Sequence, residues 1–401
     1  MKVKSLIDLF KQIYRSDEFR LFFAPGRINI IGEHTDYNGG HVFPCAIDRG
    51  TYCLARKRDD RLFRLYSANF QDKGIIEFRL DELDYKQEHN WANYPKGMIR
   101  YLIEAGYSIN TGADIFYYGN IPSGAGLSSS ASIEIVTGVM LEKLFDLTID
   151  RRELAKLGQK VENKFIGVNS GIMDQFAIAL GKKGYSLLLN CDTLQYEYIP
   201  LNLNPYRIVI MNTNKKRELA ASKYNERRAE CEEALKVLQE FLTIQHLGDV
   251  TVEQFDELRT VISNPVIRKR AQHVISENER TLAAAKALAK GDLRQFGQYL
   301  NESHISLRED YEVTGKELDT IVEAAWKQEG VLGARMTGAG FGGCAIAIVE
   351  TDKVPLFIEN VSRIYEEKMG YKASFYNVTI GDGVKEITDF STHEMIHFTG
   401  S

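Results

Sequence analysis

The stretch GNIPSGAGLSSSAS, residues 119–132, has the composition of a phosphate cradle. A strand-like segment, ADIFYYG, runs into it and a helix-forming run, IEIVTGVMLEKLF, follows. That order turns backbone N–H groups and the positive end of a helix toward a ligand. Gly124 and Gly126 let the backbone approach oxygens with no Cβ in the way. Ser128, Ser129 and Ser130 add hydroxyls, one of which can sit on Mg²⁺. The P-loop pattern GxxxxGK[ST] requires a lysine, and none lies between Gly119 and Ser132. A positive group must come from elsewhere. The same residues also suit a tight turn with a serine N-cap.

A second stretch, APGRINIIGEHTDYNGGHVFPCAID, spans residues 24–48. Glu33, His34, Asp36, Tyr37 and Asn38 crowd together before Gly39 and Gly40, with Arg27 at the base of the same strand. Carboxylates accept from vicinal hydroxyls and histidine donates or accepts, so the turn suits a small polyhydroxylated ligand. A polar hairpin loop has the same look. A third stretch, MTGAGFGGCAIAI (336–348), places four glycines in six positions before a strand. It is a second phosphate-friendly loop or a plain turn. In VENKFIGVNSGIMDQF (161–176), Glu162 and Asp174 flank a loop holding Asn169, Ser170 and Gly171. Either carboxylate alone also reads as a solvated charge. Finally, HEMIH (393–397) matches HExxH, the zinc-protease pattern. Only FTGS follows it, no convincing helix surrounds it and no third ligand is evident, so zinc is not expected there.

The elements that position these residues change character along the chain. RLFFA, INII, HVFPCAI, TYCLARK and RLFRLYS are short apolar and aromatic runs read as strands. WANYPKGMIRYLIEAG reads as a helix after its proline, and residues 132–146 and 151–165 as two more. Past residue 200, YRIVIMNT and CAIAIVE are strands among long amphipathic helices, of which VIRKRAQHVISENERTLAAAKALAKG is the longest. This is an α+β chain of two domains, with a soft boundary in 180–215 drawn here as 1–205 and 206–401.

Bulk composition excludes several classes. The 401 residues carry 50 Lys and Arg against 55 Asp and Glu, a formal charge of −5, without the basic excess of a nucleic-acid binder. No apolar run approaches the ~18 residues of a membrane span, and the charged N-terminus has no signal-peptide core, so a cytoplasmic location is expected. Cysteines at 45, 53, 191, 231 and 344 form no CxxC and are expected to be reduced packing residues.

Taken together, the stretches resemble the galactokinase family, within the superfamily of homoserine, mevalonate and phosphomevalonate kinases. Pro122 through Gly126-Leu127-Ser128-Ser129-Ser130-Ala131 is similar to that superfamily's PxxxGLxSSA phosphate motif. GRINIIGEHTDYNGG looks like the galactokinase signature, and 338–343 is similar to the superfamily's third motif. WANYPKG and GIMDQF also read as family segments. The matches fall in family order from residue 24 to about 345.

The resemblance implies two α+β domains with the active site in the cleft between them. It implies ATP-dependent phosphorylation of α-D-galactose at the anomeric hydroxyl, giving galactose 1-phosphate and ADP, the first committed step of galactose catabolism. Asp174 is then similar to the catalytic base, and Arg27 to the arginine that steadies the transferring phosphoryl group. Glu33, His34, Thr35, Asp36, Gly171 and Tyr224 fall at the sugar. Gly124, Ala125, Gly126, Leu127, Ser128, Ser129 and Ser130 form the ATP phosphate cradle. Ser130 and Glu162 would ligate Mg²⁺. Ser67 and Trp91 fall near the nucleotide, with Trp91 placed to stack on adenine. Mg²⁺ and Arg27 would supply the charge that a P-loop lysine gives elsewhere. Galactose and ATP are the expected partners, with no nucleic acid, membrane or obligate protein partner. Three rivals stand beside this reading: an N-acetylgalactosamine kinase, a non-catalytic galactose- and ATP-sensing paralogue, and a zinc peptidase. The intact Ser130-Ala131 pair and Asp174 favour an enzyme over a sensor.

Overall fold

The structure is a computed structural model that describes residues 2–122, 124–215 and 220–389. The HEMIH segment lies outside the described residues, as does Ser123 in the serine-rich loop.

The first half is built on a six-stranded sheet. Its order is Lys385–Ile387, Arg20–Asn29, Pro44–Lys57, Ala113–Gly119, Leu62–Ser67, Ile76–Arg79. All neighbours are antiparallel except Leu62–Ser67 beside Ala113–Gly119. HVFPCAI and TYCLARK, expected as separate strands, merge into the single strand Pro44–Lys57 with a short strand His41–Val42 ahead of it. Gly50 keeps the run extended, because a Cβ there would collide with the Ala24 carbonyl of the neighbouring strand. One face of the sheet carries the helix Val3–Tyr14, whose Val3, Leu6, Phe10 and Tyr14 recur at helical spacing and are buried. The other face carries Asn93–Glu104, Ser129–Leu144, Arg151–Lys160 and Met173–Leu180. Ser129–Leu144 is buried on nearly all sides, which suits its apolar composition.

The second half packs a four-stranded antiparallel sheet, ordered Val331–Thr337, Cys344–Glu350, Tyr206–Asn212, Ser374–Asn377, against long helices. Pro265–Ala289 starts cleanly because the Asn264 side chain accepts from the Val266 N–H at 2.9 Å and proline occupies the first turn. The two halves are not sealed from one another. Ile28, Phe43, Ala284, Phe296 and Ile346 share one buried cluster, and Lys385–Ile387 returns to pair with Arg20–Asn29. A boundary at 205/206 therefore needs correcting at the C-terminal end: this last strand belongs to the first sheet because its hydrogen-bond partner is that sheet's edge. None of the five cysteines is in a disulfide. Among the described residues, no helix is long and apolar enough to cross a membrane.

Candidate active site

Arg27 reaches the site through a flaw in its strand. Pairing with Pro44–Lys57 shifts register between Pro25 and Arg27, a bulge that re-aims the side chain. Arg27 is 4% exposed. Its Nε donates to Asp174 Oδ1 at 2.9 Å and its Nη1 to the Gly126 carbonyl at 2.9 Å. Its backbone N–H donates to the Leu127 carbonyl at 3.2 Å, tying strand to loop. Asp174 lies in the first turn of Met173–Leu180, where a helix favours negative charge. Its second oxygen accepts from Ser128 Oγ at 2.5 Å. Three stretches separated in sequence thus meet at one carboxylate.

Two adjoining cavities share this centre. One, of about 270 Å³, is lined by Glu33, His34, Asp36, Gly171, Tyr224 and Glu162. The other, of about 300 Å³, is lined by Gly124, Gly126, Leu127, Ser128 and Ser129. Arg27, Ser130, Asp174 and Ala339 line both. Each cavity is at the small end of ligand pockets.

In the first cavity, burial pushes the Glu33 carboxyl upward, while Arg335 and Arg27 pull it back. Asp36 is pushed up to about 7, by burial first and by the Asp174 charge second. Gly171 permits this packing, since a Cβ at that position would overlap the Asp36 carboxylate. The Tyr224 ring lies 5.5 Å from His34 and 5.2 Å from Tyr37, centroid to centroid.

One expected contact, Thr35, needs correction, and another, His34, is already partnered within the protein. His34 lines the cavity, but Nε2 faces the Ala339 carbonyl at 3.0 Å and Nδ1 the Tyr37 hydroxyl at 2.8 Å. A carbonyl only accepts, so Nε2 carries the proton and Nδ1 accepts from Tyr37. Burial, and next the neighbouring His273, lowers the imidazole pKa to about 3, which keeps it neutral. His34 therefore offers the cavity its ring and no free nitrogen. Thr35 is fully buried and does not reach the cavity. Its hydroxyl closes the turn, 2.6 Å from the His41 carbonyl and 3.0 Å from that of Gly32.

In the second cavity, Gly124, Gly126 and Ser128 alternate along the loop with φ of 68°, 74° and 65°. Left-handed positions of this kind are those from which backbone N–H groups build anion-binding concavities. The side chains of Ala125 and Leu127 are buried in the core below; Leu127 lines the cavity, whereas Ala125 does not and its N–H donates to the Pro122 carbonyl at 3.3 Å. Ser128 is a non-glycine residue in this region, as is His34 with φ 63°. Strain of this kind concentrates at functional sites.

Glu162 sits on a wide π-type turn, Val161–Ile166, that continues the helix Arg151–Lys160. Its oxygens accept from Ser130 Oγ at 2.7 Å and Ser170 Oγ at 2.5 Å. Burial, followed by the Asp174 charge, raises its pKa. A hydroxyl and a carboxylate are hard oxygen donors, which fits Mg²⁺ completing its shell with phosphate and water. Among the described residues, no cluster of three or more His, Cys, Asp or Glu side chains could hold a metal alone.

Ser67 and Trp91 line neither cavity. Ser67 Oγ accepts from the Asn69 N–H at 3.3 Å. Trp91 is buried in the first-half core, with its ring parallel to Phe70 at 6.3 Å and edge-on to Tyr117 at 5.7 Å. Sequence reasoning missed Tyr94, Val168 and Met173, which line the first cavity, and left Ser170, Gly338 and Ala339 without a place in it. Tyr94 lies inside the noted WANYPKG segment, but nothing in its spacing marks which aromatic turns inward.

Comparison with known proteins follows the same blocks. Residues 8–57 match the model of the galactokinase galactose-binding signature, 93–182 that of the GHMP kinases N terminal domain, and 284–367 that of the GHMP kinases C terminal. A galactokinase of Exiguobacterium sibiricum is 60% identical over 387 residues, covering 96% of this chain and 99% of its own. The crystal structure of Lactococcus lactis galactokinase complexed with galactose superposes with a TM-score of 0.94 at 54% identity, covering 96% of this chain and 100% of that one. Mevalonate kinase from Methanococcus jannaschii shares the fold at a TM-score of 0.64 and 20% identity, over 91% of this chain and 99% of its own.

Proposed function

The chain belongs to the galactokinase family and phosphorylates galactose with ATP as co-substrate; from that premise we propose how its cleft divides the work. One observation carries the reading: Arg27, Ser130, Asp174 and Ala339 line both cavities, so a group in one adjoins a group in the other. The cavity beside Glu33, Asp36 and Tyr224 takes the sugar, and the concave loop takes the ATP phosphates.

Glu33 and Asp36 accept from sugar hydroxyls, and the Gly171 backbone sets the depth of the floor. Asp174 accepts from the anomeric hydroxyl and holds its oxygen in line with the γ-phosphate. As the O–P bond forms in a loose transition state, the proton passes late to this carboxylate. Arg27 fixes one oxygen of Asp174 through Nε. Its Nη2, which has no hydrogen-bond partner among the described residues, faces the charge on the phosphoryl group. The loop N–H groups hold the phosphates from the other side. Ser130 and Glu162 are the side chains that would hold Mg²⁺, which would neutralise phosphate charge when bound. Ser67 and Trp91 belong to the nucleotide end by resemblance alone. A cytoplasmic location is part of the same reading, supported by five cysteines that form no disulfide.

The test is coupled ADP release across galactose, glucose, N-acetylgalactosamine and mevalonate. Turnover confined to galactose is expected. Turnover of N-acetylgalactosamine at a comparable kcat/KM would reassign the cavity, and ATP binding without turnover of any of the four would favour a sensor.

A further inference from the structure

The turn that carries Glu33 and Asp36 is held from behind by the second half of the chain. Glu277, on the helix Pro265–Ala289, is fully buried. Its Oε1 accepts from the backbone N–H of Gly32 at 3.1 Å and of Glu33 at 3.4 Å, and from Ser303 Oγ at 2.6 Å. Its Oε2 accepts from Arg280. Burial by itself would raise this carboxyl, but Arg280 and Arg335 outweigh it and the pKa falls to about 2. Glu277 is therefore a charged group in the interior at neutral pH.

Arg335 closes the other side. It is fully buried on the strand Val331–Thr337. Its Nη1 lies 3.1 Å from the Asn29 carbonyl, 3.2 Å from that of Ile30 and 3.3 Å from Glu33 Oε1. Its Nε donates to Ser303 Oγ at 3.1 Å. Ser303 thus joins the two charges, accepting from one and donating to the other. The strand bearing Arg335 continues to Gly338, whose N–H donates to Glu33 Oε1 at 2.8 Å.

We propose that Glu277, Ser303 and Arg335 are positioning residues for galactose recognition, presetting the Gly32–Glu33 backbone and the Glu33 carboxylate before the sugar arrives. The assignment rests on the sugar-side reading of Glu33 and Asp36 above. Buried ion pairs are weak sources of stability, because desolvation offsets much of their attraction. Their arrangement here serves geometry instead: three of the hydrogen bonds end on Gly32 and Glu33, two of them on N–H groups that no helix or sheet satisfies, and two more hold the Asn29 and Ile30 carbonyls that lead into the turn. A turn left to water would have to be ordered by the ligand, and that ordering would weaken binding. Among the described residues, the hydrogen bonds and ion pairs of the three side chains end elsewhere than on the loop at 124–130, so the nucleotide side should be indifferent to them.

The test compares Ser303→Ala and Glu277→Gln with the wild type in steady-state assays, galactose calorimetry without nucleotide, and thermal melts. Ser303→Ala removes one hydroxyl and leaves both charges, so it should fold. Leaving buried partners unsatisfied at one such site corresponds to roughly a five- to hundred-fold effect. Galactose KM and Kd should rise by about ten-fold or more in Ser303→Ala and further in Glu277→Gln. KM for ATP should stay within about two-fold and kcat within about three-fold. Ser303→Thr, which keeps the hydroxyl, should recover most of the galactose affinity. A role in folding alone would lower the melting temperature and the active fraction while leaving galactose KM unchanged; that outcome in Ser303→Ala overturns the proposal, as does an equal rise in both KM values. If Glu277→Gln is insoluble, Ser303→Ala decides by the same criterion. A wild type that turns over no galactose would instead overturn the sugar-side reading itself.

Discussion

Arg27 and Asp174 form a directed pair, Nε to Oδ1 at 2.9 Å, across 147 residues of sequence. With Ser128 on the other oxygen, both carboxylate oxygens of Asp174 are held, and the residue still lines the cavity. Asp174→Asn keeps the shape but places an amide N–H₂ against either the guanidinium or the hydroxyl and removes the basicity. We expect kcat to fall by roughly 10²–10⁴, with galactose binding by calorimetry preserved. Arg27→Lys should also lower kcat, because an ammonium cannot donate to Asp174 and Gly126 from one plane. The double variant should be no worse than the poorer single one if the pair acts as a unit. A kcat for Asp174→Asn within a few-fold of wild type would sink the assignment of Asp174 as base.

Gly171 faces Asp36 with no space for a methyl group. Its φ lies outside the left-handed region, so the glycine is there for close approach rather than for backbone freedom. Gly171→Ala must push the Asp36 carboxylate or the 168–172 backbone aside. Galactose KM should rise by at least ten-fold and KM for ATP should hold. Equal galactose KM in the two proteins, measured at the same pH, would place the sugar elsewhere in the cleft.

Asp36 also carries a pH signature. In the unfolded chain its carboxyl ionises near 4, and in the folded one near 7. Between those values the folded protein holds a proton that the unfolded chain releases. Stability from this group is therefore full below about pH 4 and is lost as pH rises through 7. Asp36→Asn removes the titration. The melting temperature of the variant, relative to wild type and without ligands, should climb from pH 5 to pH 8. A difference that stays flat over that range would mean the carboxyl ionises normally in the fold.

How much of this was legible depended on whether a residue acts through its own type or through what it packs against. Gly124, Gly126 and the serines announce a concave loop by composition, and the strand and helix on either side were readable from apolar runs. Arg27 and Asp174 were nameable by resemblance to a family, but their contact was not: it depends on a bulge at Pro25–Arg27 that no local pattern marks. His34 was legible as a polar group of the cavity, but its hydrogen bonds were not, since Tyr37 and Ala339, which occupy its nitrogens, converge only in the fold. Glu277 and Arg335 were illegible for the same reason. In a helix rich in charge, one buried glutamate looks like its exposed neighbours.

Glu162 offers the last prediction, which concerns metal dependence. Its carboxylate is buried, shares hydrogen bonds with Ser130 and Ser170, and adjoins Asp174. Two acidic groups so close repel one another, and burial strengthens the repulsion. A divalent cation beside Ser130 would relieve it, so the protein without metal should bear a local penalty that Glu162→Gln removes. The variant should therefore melt at or above the wild-type temperature in the absence of divalent ions. The same change takes away the carboxylate on which Mg²⁺ affinity mainly rests. The Mg²⁺ concentration for half-maximal activity should rise by about ten-fold or more, and the increase in melting temperature on adding Mg²⁺ with ADP should shrink. Both readouts must move together. A variant that melts lower than wild type without metal, yet needs no more Mg²⁺, would make Glu162 a hydrogen-bonding anchor for the Ser130 and Ser170 loops and leave Mg²⁺ to the phosphates alone.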